Sequence, residues 1–157
     1  MNDADILERI ADLGLELPPP PQAVAAYVPV VVSGSMAFAA GQIPMIDGVV
    51  QHPGTVGAEV SVEDAADAAG RCALQALSAL RAELGSLDRL RRVLQVAVYV
   101  AAADGFTEHP KVANGASDLL VAVLGEEGKH ARAAVGVGSL PLGSCVEVVV
   151  TVEVEPA

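Results

Sequence analysis

From Leu94 to Ala103 the chain reads Leu-Gln-Val-Ala-Val-Tyr-Val-Ala-Ala-Ala. The β-branched and aromatic residues make this a strand. Successive side chains of a strand point to opposite faces, and here both sets are largely apolar. Such a strand belongs inside a sheet with cover on both faces. It is also far shorter than the ~20 residues a membrane-spanning helix needs. The chain must therefore build a sheet and find two covers for it.

One cover is legible. From about Val62 to Leu84, Val62, Ala65, Ala69, Cys72, Ala73, Leu77, Leu80 and Leu84 form an apolar stripe. Asp64, Asp67, Arg71, Gln75, Ser78 and Arg81 form the opposite polar stripe. Ser61 with Asp64 resembles a capping box, and Gly85 ends the helix. The many alanines permit close packing on a sheet. A second helix is expected from about Lys111 to Leu124, with Gly125 as its stop.

The remaining strands follow from β-branched runs and turn residues. Tyr27–Val32 and Met36–Ala40 flank a turn at Ser33-Gly34. Gly41-Gln42-Ile43-Pro44 interrupts the second run, because Pro44 cannot sit in a central ladder. Asp47-Gly48 signals a hairpin, with Val49-Val50 opening its return strand. Arg132–Val137 is a further strand. Cys145–Glu155 is the last, with Val146, Val148, Val150, Val152 and Val154 on one face and Glu147, Val149, Thr151 and Glu153 on the other.

Ahead of these lies a short amphipathic helix, Asp3–Leu13, with Ile6, Leu7, Ile10 and Leu13 on one face and Gly14 as its stop. Pro18 to Pro21 then form an extended tether. The expected organisation is a helical and Pro-rich lead over residues 1–22 and one domain over 23–157. The element order is ββ(β)-α-β-α-ββ, an α/β (α+β) chain with two long helices on one face of a mixed sheet. A partner subunit would cover the other face.

Composition agrees with that expectation. The 157 residues suit one domain, and only 18% are charged against a usual share of about 25%. Apolar residues make up 52%, so surface hidden in an oligomer is expected. The net charge of −11 weighs against nucleic acid and against an anionic membrane as partners. Met1 to Glu8 is acidic and does not read as a signal peptide. Cys72 and Cys145 form neither a metal pair nor a disulfide framework, which suits buried thiols and a cytoplasmic location.

Few residues carry chemistry. His52, His109 and His130 lack metal-site spacing, so no metal is expected. Ser33, Ser35 and Ser117 lack a nucleophile elbow. Gly136-Val137-Gly138 with Gly143 opens no helix and is no dinucleotide fingerprint. Arg132, however, lies in an apolar strand among Ala131, Ala133, Ala134 and Val135. Either it is a strand-end arginine paired with Glu147 or solvent, or it grips a substrate carboxylate bidentately. Glu147, in a valine-rich strand, is either a solvated position or an acid in a cleft.

Several pieces together resemble one family. They are Tyr27-Val28, Ala39-Ala40-Gly41-Gln42-Ile43-Pro44, Asn114 after His109-Pro110, His130-Ala131-Arg132-Ala133-Ala134-Val135, Leu140-Pro141 and Val146-Glu147-Val148. In order and spacing they resemble the Rid family of reactive-intermediate deaminases, also called YjgF, over about Ala23 to Val154. The lead Leu17–Pro21 and the block Asn114–Leu120 resemble its longer subgroup. The resemblance implies a chorismate-mutase-like fold, a homotrimer with a central barrel, and active sites at subunit clefts. It implies hydrolysis of reactive 2-enamine or 2-imine acids such as 2-aminoacrylate to 2-keto acids and ammonia, with no cofactor.

By the same resemblance, Arg132 binds the substrate carboxylate and Glu147 orients or activates water. Tyr27, Asn114, Gly41 and Gln42 line the pocket. Ala40, Ala133 and Ala134 stand where polar residues are common in the family, which bears on the substrate. The competing functions are a non-catalytic trimer binding small carboxylic acids, an RNA-cleaving translation inhibitor, and a hydrolase of a related pathway-specific substrate.

Overall fold

The computed structural model describes residues 2–22 and 26–156. Among the described residues the α-helices are α1 (Asp3–Asp12), α2 (Val62–Leu84) and α3 (His109–Leu124). The strands are β1 (Val30–Ser33), β2 (Met36–Ala39), β3 (Met45–Ile46), β4 (Val49–Val50), β5 (Leu90–Ala101), β6 (Ala131–Val137) and β7 (Val146–Val154). Five of them form one sheet in the order β1-β2-β7-β5-β6, and β3 with β4 is a separate ribbon. β5 and β6 run parallel across the α3 crossover, and the other pairs are antiparallel. This is the expected mixed sheet, with the apolar β5 in its interior.

Two turn predictions hold for a stereochemical reason. Gly34 takes φ +59 in the two-residue turn between Ser33 and Met36. Asp47 and Gly48 take φ +50 and +79, the pair of positive values a type I′ hairpin needs. The first strand starts later than expected. Tyr27 and Val28 precede it, because Ala40 donates to the Pro29 carbonyl and Pro29 has no N–H to continue the ladder. The second helix starts earlier, at His109, with Pro110 in its first turn where a missing N–H costs nothing.

The face of β5 and β7 that carries Val96, Val98, Val100, Val148 and Val150 is fully buried under the helices. α2 crosses α3 at glycine. A Cβ on Gly115 would lie 1.8 Å from the Ala66 carbonyl oxygen. The contact is backbone against backbone and cannot yield by a side-chain rotation. Gly115→Val should therefore destabilise the fold by about 3 kcal/mol or more, read as a lower denaturation midpoint.

The polar stripe expected on α2 is only partly wet. Gln75 and Ser78 are both buried. Ser78 donates to the Pro18 carbonyl, so the Pro-rich tether lies on that side of the helix, with Pro18 itself buried. Helical periodicity could not show this, because the cover comes from 60 residues away.

α1 is bound to this body. Ile6 and Ile10 join the main core, whereas Leu13 is exposed. Asn2 and Asp5 form a reciprocal capping box. The Asp3 carboxylate accepts from Arg81 Nε and Nη2, both at 2.9 Å, and from the Leu87 amide at 3.0 Å. The Arg81 hydrogen bond holds the Asp3 carboxyl below its ordinary pKa. A depressed carboxylate pKa stabilises the fold above the unfolded-state value and ceases to as pH falls through the folded-state value. Amide protection of Ile6 and Ile10 should thus weaken below about pH 4, before that of α2. In Asp3→Asn the same loss should be present at neutral pH. The boundary expected at 22/23 adjoins residues 23–25, outside the described residues.

The second face of the sheet has no cover from the described residues. Val31, Phe38 and Val135 stand there 51%, 43% and 46% exposed, Val31 and Phe38 in register with Thr151 and Val135 with Tyr99 and Glu147. Among the described residues no helix is long and apolar enough to cross a membrane.

Candidate functional site

The residues singled out in the sequence fall into two groups. The first is at the β6 edge of the sheet. Arg132 registers with Val96 and so lies on the helix side, beside α3. Its Nη1 donates to Asn114 Oδ1 at 2.8 Å and to Ser117 Oγ at 3.2 Å. Asn114 and Ser117 are three residues apart on α3 and share one face. A guanidinium has five N–H donors in a planar fork. The two on Nη1 are taken by α3, which leaves Nε and Nη2 side by side along one free edge. That edge matches the two oxygens of a carboxylate.

Arg132 is exposed and makes no salt bridge among the described residues. The pairing with Glu147 does not occur. Glu147 registers with Tyr99 and Val135, two strands away from Arg132 and three residues along, on the opposite face. Sheet spacings put their Cα atoms about 14 Å apart. Asn114 holds the arginine, a role beyond lining a pocket. Ser117 has no nucleophile elbow, and the one sequence feature that marks it is its three-residue spacing from Asn114. A recess of about 230 Å³ opens here between Ser117, Val121, Lys129, His130 and Arg132.

The second group surrounds a chain irregularity. Phe38 pairs with Thr151, but Gln42 pairs with Val148, so the β2 side holds one extra residue. This is a β-bulge at Ala40-Gly41. Gln42 and Val148 exchange both backbone hydrogen bonds at 2.9 Å. The bulge brings the Gly41 backbone against the Glu147 side chain. A Cβ on Gly41 would lie 2.0 Å from Glu147 Oε1. A side chain at this position would force the Glu147 carboxyl out of its present place.

Glu147 is half-buried and has no hydrogen-bond partner among the described residues. Burial raises its pKa above the ordinary value. A carboxyl in that state holds its proton to higher pH and can give it to a ligand. Tyr27 is exposed at the mouth of a recess of about 140 Å³ that Gly41 and Gln42 also line. The Gln42 side chain is buried, with Nε2 donating to the Ala40 carbonyl at 2.9 Å.

Gln75 of α2 is the residue that sequence reasoning missed in this group. Its Nε2 donates to the Ile43 carbonyl at 2.9 Å, and its Oε1 accepts from the Met45 amide at 2.8 Å. It thereby fixes the segment after Gly41. On a helical wheel it sits among solvated residues, so no local signal marked it. Of the alanines, Ala40 lies in the bulge, Ala133 faces the uncovered side of the sheet, and Ala134 faces the core. Among the described residues no group of three or more His, Cys, Asp or Glu could hold a metal ion.

Residues 7–154 match the family described as "YjgF/chorismate_mutase-like, putative endoribonuclease". Protein TCP17 of Trypanosoma cruzi is 46% identical over 149 residues, 94% of this chain and 93% of that protein. The crystal structure of Atu1372 from Agrobacterium tumefaciens is 41% identical with a TM-score of 0.91, over 98% of this chain and 94% of that one. A structure from Shewanella oneidensis is 31% identical, also with a TM-score of 0.91, over 95% of this chain and 99% of that one.

Proposed function

The chain belongs to the YjgF/Rid family, and we propose that it is an enamine/imine deaminase that hydrolyses 2-aminoacrylate-like acids to 2-keto acids and ammonia. Family membership by itself supports a small-molecule-binding or endoribonuclease-like role. The observation that carries the narrower reading is the Nε/Nη2 edge of Arg132, an exposed guanidinium that α3 orients and that no carboxylate among the described residues neutralises. It suits a small anionic substrate. RNA is disfavoured by the net charge of −11, since phosphate binding needs a basic face.

In this reading the enamine first tautomerises to the 2-imino acid, C3 gaining a proton as the nitrogen loses one and C=C becoming C=N, and Arg132 takes the carboxylate bidentately. Water adds to the C=N carbon, and the nitrogen gains protons and leaves as ammonia. The carbonyl of the 2-keto acid remains. Glu147 places the water and shuttles the protons, a task for which a raised pKa is suited.

One chain cannot bring both groups to one small molecule, because they lie on opposite faces of the sheet. The working site is then a cleft between copies, where Arg132 of one meets Glu147, Gly41 and Tyr27 of a neighbour. A homotrimer around the uncovered face that carries Val31, Phe38 and Val135 would supply that cleft. A second reading, binding of a keto acid without turnover, draws on Ala40, Ala133 and Ala134, which put methyl groups where hydroxyl or thiol groups would assist. The test generates 2-aminoacrylate from serine with a dehydratase and follows pyruvate. Acceleration by the protein supports the deaminase; keto-acid binding with no acceleration supports the second reading.

A further inference from the structure

His130 lies beside the Arg132–Asn114 pair and has no part in the chemistry described above. Its Nδ1 is 2.6 Å from the Gly128 carbonyl oxygen, and its Nε2 is 2.9 Å from Ser117 Oγ. A carbonyl can only accept, so Nδ1 carries a proton. In the neutral ring Nε2 then has none and must accept. The Ser117 hydroxyl therefore donates its single proton to His130. That leaves its lone pairs for Arg132 Nη1, at 3.2 Å. Each donor in the series has one acceptor, from Arg132 through Ser117 and His130 to the Gly128 carbonyl.

We infer that Ser117 and His130 are positioning residues for Arg132: their directed relay commits Nη1 to α3 and so presents the Nε/Nη2 edge to the substrate carboxylate. The inference rests on the carboxylate-binding reading of Arg132 and adds the reason for its orientation. Asn114 alone would hold the guanidinium at one point and let it swing about that contact. Ser117 gives the second point. His130 makes that point an acceptor, since a free serine hydroxyl could turn its proton toward the cation and repel it. Gly128 is itself buried with its backbone against α3, where a Cβ would lie 2.3 Å from the Leu120 carbonyl oxygen.

Two measurements test this. The first needs no ligand. Long-range proton–nitrogen correlation spectra of the wild-type protein at pH 8 should show His130 as the Nδ1–H tautomer; the Nε2–H tautomer, ordinarily favoured by neutral imidazole, would overturn the relay. The second is binding of pyruvate, used as a stable 2-keto acid, by isothermal titration. Ser117→Ala should raise its Kd about tenfold, as for a lost hydrogen bond to a charged group. Ser117→Thr, which keeps the hydroxyl, should restore the wild-type Kd within about twofold.

His130→Phe should match Ser117→Ala, and the double variant should be no weaker than either, because members of one relay do not add. In the deamination assay Ser117→Ala should raise KM and leave kcat within about twofold, the pattern of lost substrate binding. Pyruvate binding that depends on Arg132 but not on Ser117 overturns the relay and leaves the arginine's role intact. Binding that ignores Arg132→Ala overturns the carboxylate reading, and the positioning role with it.

Discussion

Arg132→Ala is expected to lower kcat/KM for 2-aminoacrylate by about 10²–10⁴-fold in the dehydratase-coupled assay. The figure follows from two hydrogen bonds to a charged group at about 1.5–3 kcal/mol each. Loss of both contacts also removes the orientation they impose on a small, reactive acid. The same substitution should leave the fold intact. The guanidinium is exposed on an edge strand and makes no ion pair among the described residues. Asn114 is exposed and Ser117 half-exposed, so water can take over their hydrogen bonds. A thermal midpoint near that of wild type, together with lost activity, is the expected pair of results. An Arg132→Ala protein that still deaminates at the wild-type rate would overturn the assignment.

Glu147→Gln should cost about 10²–10⁴-fold in rate, the usual worth of a positioned acid or base. Its effect on stability should run the other way. Burial raises the carboxyl pKa in the folded chain, and no hydrogen bond among the described residues compensates. For a raised folded-state pKa, the favourable contribution is complete below the unfolded value and is lost as pH rises through the folded one. At neutral pH the charged carboxylate therefore weighs against folding. Glutamine has nearly the same shape and no charge. Its midpoint at pH 7 should equal or exceed that of wild type, and the difference should vanish at about pH 4, near the unfolded-state value. A Glu147→Gln protein that melts well below wild type at pH 7 would mean that the carboxylate serves structure and not chemistry.

These two residues also show how far the sequence could be read. Arg132 was visible because an ionised group in an apolar strand needs a reason, and its neighbours supply none. Glu147 was visible against a row of valines. The partner of each was not. The suggestion that Arg132 and Glu147 pair is natural for two opposite charges on neighbouring strands. It fails because register puts them on opposite faces with β5 between them. Gln75 looked solvated on a helical wheel but is buried against the 42–45 segment. Gly41 read as a wall of the pocket; its closeness to the Glu147 carboxyl depends on a bulge that no local pattern announces.

By itself the sequence determined what nearest neighbours along the chain decide. These are the period-2 strands β5 and β7, the period-3.6 helix α2 with its Ser61 cap and Gly85 stop, and the turns at Gly34 and Asp47-Gly48. Each depends on backbone sterics or on side chains a few residues apart, so the local string contains the information. Tertiary structure alone decided which strands pair beyond the two hairpins, that Asp3 anchors the first helix through Arg81, that Ser78 holds the proline tether, and that Asn114 and Ser117 aim Arg132. Those contacts join residues 15 to 78 positions apart. They exist only after the core has closed, because apolar burial is non-directional and hydrogen bonding then selects among the packings it permits.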